Sequence, residues 1–193
     1  MEDKILNEKE SLELISQMIQ NTQQKLKAGN GLAFLIFGYT TAAISVLVYL
    51  FLKETHNSWY NLMWLGIPII GYVLLYFFSK KEVKLRKTYV DRIIGNVWTI
   101  IGLAVFFISV SAGFVRIPIL PILILLLGIG TTITGTIIRY KPVIICGALG
   151  MVSCVLPFLI NGYDQNLIYG FCIFVMMVIP GHILNYQGRT QNV

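Results

Sequence analysis

The sequence predicts an all-α fold: a polytopic membrane protein with a bundle of six transmembrane helices and an N-terminal cytoplasmic amphipathic helix. Composition is the first observation behind this prediction. Of 193 residues, 12% are charged and 56% are hydrophobic, and soluble domains carry about twice that charged fraction. Too few charges are present to cover a soluble core. The same figures exclude disordered and disulfide-rich classes.

The spacing of the charges is the second observation. Six runs without Asp, Glu, Lys or Arg are 22 to 25 residues long. About 20 helical residues cross the roughly 30 Å of bilayer hydrocarbon, so each run is long enough to span it. The runs are continuously apolar, whereas barrel strands alternate polar and apolar residues. The predicted spans are residues 31–52, 58–79, 94–115, 117–138, 142–161 and 166–186, within a transmembrane domain of residues 30–193.

The basic residues predict the orientation. With the amino terminus in the cytoplasm, 13 of the 15 Lys and Arg residues fall inside, and only Lys53 and Arg116 fall outside. This distribution fits the positive-inside rule, so both termini are expected to be cytoplasmic. The basic loop that contains Lys84 and Arg86 is expected to contact anionic lipid headgroups. No nucleic-acid partner is expected.

Residues 1–29 are predicted to form the cytoplasmic amphipathic helix. Its apolar residues recur about every seven positions on one helical face, and the segment has five acidic residues against four lysines. This charge balance and the lack of aromatic residues disfavour binding to the lipid surface. Residues 28–31, Ala-Gly-Asn-Gly, predict a hinge. The helix could dock on its own bundle, contact a second copy or bind another protein; the candidate contact residues are Leu12, Ile15, Ile19, Leu26, Lys84 and Arg86.

The predicted spans contain no charged residue, and buried ionisable groups mark most proton relays and ion-coupled carriers. Polar and helix-breaking residues remain, above all in the Gly- and Thr-rich fourth span. Close helix packing explains such small residues, and kinks explain the prolines within spans. The alternative is a polar path through the bundle, for which the candidate residues are Pro68, Asn96, Thr131, Thr134 and His182.

Enzymatic chemistry has one candidate pair in the membrane. Cys146 and His182 lie at similar predicted depth, and a thiol–imidazole pair can act as nucleophile and base. An interfacial histidine and a small packing cysteine are the alternative. The sequence has no phosphate-binding, dinucleotide or zinc-protease motif, so no catalytic residue, cofactor or metal is predicted.

Three segments carry a resemblance to known proteins. They are Ser-Leu-Glu-Leu-Ile at 11–15, the run from Gly128 to Gly135 that continues into Ile-Arg-Tyr-Lys-Pro at 138–142, and Ile-Pro-Gly-His-Ile-Leu at 179–184. In these segments and their order the chain resembles a group of small six-span bacterial inner-membrane proteins of unassigned activity. The resemblance implies a bacterial plasma membrane and brings no catalytic or binding residues.

The functional expectation follows from where polar chemistry remains. The amphipathic and basic features face the predicted cytoplasm, while the predicted spans contain no charged residue. We therefore expect a non-enzymatic membrane protein that engages a cytoplasmic partner or its own copy in a sensor or accessory role. The alternative is a passive transporter or channel for a small or apolar solute.

Overall fold

The computed structural model describes residues 8–79, 89–112, 114–115 and 117–190. Throughout these ranges the regular structure is helical, with no strand. The α-helices are α1 (Glu8–Thr55), α2 (Gly66–Ser79), α3 (Tyr89–Ser111), α4 (Ile119–Ile137), α5 (Lys141–Ser153), α6 (Asp164–Ile173) and α7 (Ile179–Thr190).

The described residues contain six helical segments that are long and apolar enough to cross a membrane. This confirms the predicted number of spans. Most bounds agree closely with the sequence, but the third span starts at Tyr89, before Asp91 and Arg92. Charged residues at the start of a helix can lie at the headgroup level. The spans are Gly31–Thr55, Trp59–Phe78, Tyr89–Ser111, Ile119–Ile137, Lys141–Leu159 and Asp164–Tyr186, here called spans 1 to 6.

Spans 1, 4 and 6 form the centre of the bundle. Buried residues make up 44%, 44% and 56% of their most apolar windows, against 6% in span 2 and 11% in span 3. Helix α1 packs along α6 and α7, α4 packs on α5, and α3 lies against α4. Span 2 packs on α1. Spans 2 and 3 are therefore peripheral and present most of their surface to the surroundings.

The predicted hinge at residues 28–31 is wrong. Helix α1 runs without a break for 48 residues, or about 72 Å at 1.5 Å per residue. A separate amphipathic helix is therefore not confirmed. A glycine inside a helix costs about 1 kcal/mol relative to Ala, which packing can offset. A Cβ at Gly31 would lie 3.0 Å from the backbone nitrogen of Asn185, so close contact with α7 accompanies helix continuity here.

Prolines interrupt the regular α-helix in three spans. Pro68 is the third residue of α2, just after a 3-10 helix at Ser58–Leu65, and the first helical turn tolerates proline. Pro157 lies in a short 3-10 turn that follows α5. Pro180 follows a π-helical turn, Phe174–Val178. Proline lacks the N–H that continues an α-helix, so spans 5 and 6 change helix type beside it.

Glycines set the separation of spans 4 and 5. A Cβ at Gly147 would lie 2.6 Å from the backbone nitrogen of Thr132, and one at Gly135 would lie 2.7 Å from that of Ile144. Real Cβ atoms do not approach backbone so closely. The glycines therefore allow the two backbones to pack together, as small residues do between membrane helices. This supports the packing interpretation of the Gly- and Thr-rich span.

Candidate functional site

Two tyrosine–histidine pairs lie near opposite ends of the contact between spans 1 and 6, one within the spans and one just beyond them. The hydroxyl of Tyr39 lies 2.7 Å from Nε2 of His182. At the other end, Nδ1 of His56 lies 3.3 Å from the hydroxyl of Tyr163. These are the two histidines of the chain, so each histidine is paired across the same helix contact.

The Tyr39–His182 pair lies within the membrane-spanning segments. Both side chains are exposed, Tyr39 by 48%. The ring of Phe174 meets Tyr39 edge to face, with centroids 6.0 Å apart. Phe174 begins the π-helical turn of span 6, and such turns are frequent at functional sites. An exposed polar pair thus adjoins the irregular part of the most buried span.

Close backbone packing holds the two spans on either side of this pair. A Cβ at Gly38 would lie 2.7 Å from Cγ2 of Val178, and one at Gly181 would lie 3.2 Å from the nitrogen of Leu35. Further along the contact, the buried hydroxyl of Ser45 donates to the carbonyl of Asn166. The pair therefore lies on two helices, spans 1 and 6, whose backbones pack closely together.

Cys146 and His182 do not hydrogen-bond to each other. The bond of the imidazole goes to Tyr39, while Cys146 is a half-buried residue of α5. The described part of the chain also contains no cluster of three or more His, Cys, Asp or Glu side chains that could hold a metal ion. The geometry thus adds nothing to the thiol–imidazole hypothesis.

The five polar-path candidates occupy different environments. Thr131 and Thr134 are fully buried, and their hydroxyls donate to the carbonyls of Leu127 and Gly130 at 2.9 and 2.8 Å. Pro68, Asn96 and His182 are exposed, on spans 2, 3 and 6. The structure therefore does not gather these residues around one passage.

The first half of span 3 has small and polar residues among its exposed positions, which further along the helix include Leu103, Phe106 and Phe107. Gly95, Thr99 and Gly102 follow one another at intervals of four and three residues, which places them on one helical face. All three are exposed, as is the neighbouring Asn96. A Cβ at Gly95 or Gly102 would meet nothing within 4 Å. The adjoining side, where Ile94 and Ile101 are buried, packs on span 4, and Trp98 Nε1 donates to Thr134 Oγ1 there at 3.2 Å.

The partner-contact candidates fall mostly outside these observations. Leu12, Ile15, Ile19 and Leu26 lie in the first half of α1, where the structure gives the backbone alone. Lys84 and Arg86 lie outside the described residues. Their assignment stays a prediction.

Sequence reasoning missed the importance of Tyr39, Ser45 and Asn166. Nothing in the local sequence distinguishes Tyr39 from the other aromatic residues of the spans. Its partner His182 is 143 residues away, and no local periodicity links positions so distant. A signal of correlated substitution between the two positions is the kind of sequence information that could have found the pair.

A recess of about 310 Å³ lies where span 5 ends and span 6 begins, and its surface is apolar. The residues that line it are Leu156, Leu159, Ile160, Leu167, Ile168 and Phe171. These side chains offer no polar group for fixing a ligand, and pockets gain specificity from such groups. The recess is therefore no substitute for the Tyr39–His182 pair as a candidate site.

No protein-family model, curated protein or solved structure matches this chain.

Proposed function

We propose that this chain is a non-enzymatic membrane protein that acts through association with a second copy of itself, in a sensor or accessory role. The exposed face of span 3, formed by Gly95, Asn96, Thr99 and Gly102, is the observation that carries this proposal. The setting we propose is a bacterial inner membrane with both termini in the cytoplasm. There the first half of α1 and the basic loop engage a cytoplasmic partner.

Small residues support the association of two helices at this face. In a bilayer, helices are not driven together by the hydrophobic effect, because lipid tails are as apolar as leucine. Close van der Waals contact replaces it, and glycines permit that contact. Gly95 and Gly102 have open space at the Cβ position, unlike the packed glycines of spans 4 and 5. Among the described residues of the protomer, nothing packs on the Cβ position of these two glycines.

Asn96 supports association more specifically. It lies seven residues into span 3 and is exposed, about 10 Å along the helix axis from Tyr89. It also lies four residues, or about 6 Å, past Arg92, so the amide is just inside the hydrocarbon, where few hydrogen-bond partners are available. Asparagine side chains hydrogen-bond between membrane helices. A neighbouring helix would supply a hydrogen-bond partner that is fixed in place.

A second copy is favoured as the neighbour because an amide is self-complementary. It carries both donors and an acceptor, so two Asn96 side chains related by a twofold axis can bond to each other. Most homo-oligomers have closed symmetry, with the same patch on both subunits. Passive transport, the alternative suggested by the sequence, has no supporting contact among the described residues.

Fluorescence resonance energy transfer tests this proposal in lipid vesicles that contain protein labelled with a donor dye and protein labelled with an acceptor dye. We expect wild-type protein to associate, with the associated fraction rising as the protein-to-lipid ratio rises. Asn96→Leu should weaken association about tenfold, since one interhelical hydrogen bond contributes about 1–2 kcal/mol in model peptides. Gly102→Leu should weaken it by filling the open groove.

Val152→Leu is the matched control, because it adds bulk at a residue of α5 that is 74% exposed. It should leave association unchanged. A wild-type protein that stays monomeric at every protein-to-lipid ratio would contradict the proposal. So would association that is insensitive to both span 3 variants.

A further inference from the structure

The Tyr39–His182 pair has a donor left over after its internal bond is made. If the tyrosine hydroxyl donates to Nε2, the neutral imidazole carries its proton on Nδ1, which is then a free N–H. If Nε2 carries the proton and donates to the tyrosine oxygen, the tyrosine O–H is free instead. These are the two ways to form the bond with an uncharged ring. In either case the pair has one donor to offer to an acceptor outside the bundle.

The histidine of the pair lies at a shallow depth. His182 is four residues before Tyr186, where span 6 ends, or about 6 Å along the helix. Span 6 has 23 residues and is about 34 Å long, slightly more than the roughly 30 Å of hydrocarbon. His182 therefore lies just inside the hydrocarbon boundary, where the ester groups of phospholipids are found.

An apolar surface leads from the pair toward the bilayer centre. Tyr39, Ala43 and Val46 follow at intervals of four and three residues on the exposed side of span 1. Phe174 of span 6 lies against Tyr39. Ala43 is small, so it leaves room beside these larger side chains. An acyl chain fits such a surface when its polar end is fixed above.

We propose that Tyr39 and His182 form a binding site for one phospholipid, whose ester carbonyl accepts the spare hydrogen bond and whose acyl chain lies along Ala43, Val46 and Phe174. An ester carbonyl accepts and cannot donate, which matches the pair in both of its bonded forms. This site is separate from span 3 and does not depend on the proposed self-association.

Solid-state NMR of protein with ¹⁵N-labelled histidine tests the site in vesicles of phosphatidylethanolamine and phosphatidylglycerol. The ester carbonyls of the lipid carry ¹³C. We expect a contact between the labelled ring of His182 and the labelled carbonyl. His56 is the internal control, because it lies beyond the end of span 1, where water provides hydrogen-bond partners.

Diether analogues of the same lipids remove the carbonyl and keep the headgroups and chains. In diether vesicles the His182 resonance should shift while that of His56 stays in place. Equal shifts of both resonances would contradict the proposal, because they would show a general effect of the lipid. A contact from His182 to a second protein copy, in a sample of mixed labels, would also overturn it.

Lipid retention during detergent purification gives a second readout. The double variant Tyr39→Phe with His182→Leu removes the spare donor in both bonded forms, and it should lower retention of the bound phospholipid about tenfold, the change expected for one hydrogen bond. Tyr72→Phe is the matched control, since Tyr72 is a tyrosine of span 2 that is 67% exposed. Equal retention in wild type and the double variant would refute the site.

Discussion

Trp98 of span 3 donates its indole N–H to the hydroxyl of Thr134 in span 4, across 3.2 Å. The threonine is fully buried, and its own hydroxyl donates a hydrogen bond to the carbonyl of Gly130. The indole ring also meets Phe34 of span 1 edge to face, at 5.9 Å between centroids. One side chain of a peripheral span thus reaches both central helices beside it.

Replacing this tryptophan should loosen span 3. Trp98→Phe keeps an aromatic ring but removes the donor, and interhelical hydrogen bonds in membranes average about 0.6 kcal/mol. We expect the free energy of unfolding in mixed detergent to fall by about 0.5–2 kcal/mol, including lost packing. Thr136→Val is the control, because its exposed hydroxyl bonds within its own helix. A loss as large in the control would show that the Trp98 bond has no special role.

Replacing glycine by alanine should change the unfolding free energy differently at packed and at open positions. Gly147→Ala places a Cβ against the backbone nitrogen of Thr132, so spans 4 and 5 must move apart; overpacking of this kind costs about 1–3 kcal/mol. Gly95→Ala meets nothing within 4 Å and gains helix propensity. In monomer-forming detergent, we expect the unfolding free energy to fall for the first variant and to hold or rise for the second. Similar destabilisation by both would be inconsistent with the tight contact of spans 4 and 5.

Tyr140 should make stability depend on alkaline pH. It lies between spans 4 and 5, and burial raises the pKa of its phenol above the ordinary value of 10.0. The folded state then holds the proton to higher pH than the unfolded state does. Its contribution is complete below about pH 10 and is lost as pH rises from there through the raised pKa.

Unfolding measured in detergent across pH 9 to 11 checks this dependence. Tyr140→Phe should decline less steeply than wild type above about pH 10, because it has no proton to lose there. Tyr89→Phe is the control, since Tyr89 is 76% exposed, and it should keep the wild-type slope. If the unfolding free energy of Tyr140→Phe fell with pH as steeply as that of wild type, Tyr140 would not be the source of the pH dependence.

The continuity of α1 predicts a long and narrowly distributed distance between two spin labels placed on this helix. Spin labels at Ser16 and Ala43, in a background without native cysteines, are 27 residues apart in one helix. They should lie about 40 Å apart. A pair at Ala33 and Thr55, wholly within span 1, calibrates the width of a rigid helix. A much shorter or broader distribution for the first pair would restore a hinge near Gly29.

Local pattern determined the class of this protein and its spans. Charge-free runs of sufficient length require membrane helices, because a helix satisfies its own backbone hydrogen bonds in lipid. Prolines likewise marked where spans 5 and 6 depart from the α-helix, since a proline acts on its own turn. These are properties of neighbouring residues, and the sequence displays them directly.

Only the tertiary structure decided which helices are central and which polar residues meet. Glycines of similar sequence context separate into packed Gly147 and open Gly95 according to what lies opposite. Helix α1 continues through the predicted hinge, where α7 packs on Gly31. Tyr39 and His182 meet because spans 1 and 6 pack together although they are the first and last of the bundle. Contacts between spans depend on how helix faces fit one another, and hydropathy along a single chain carries almost no information about that fit.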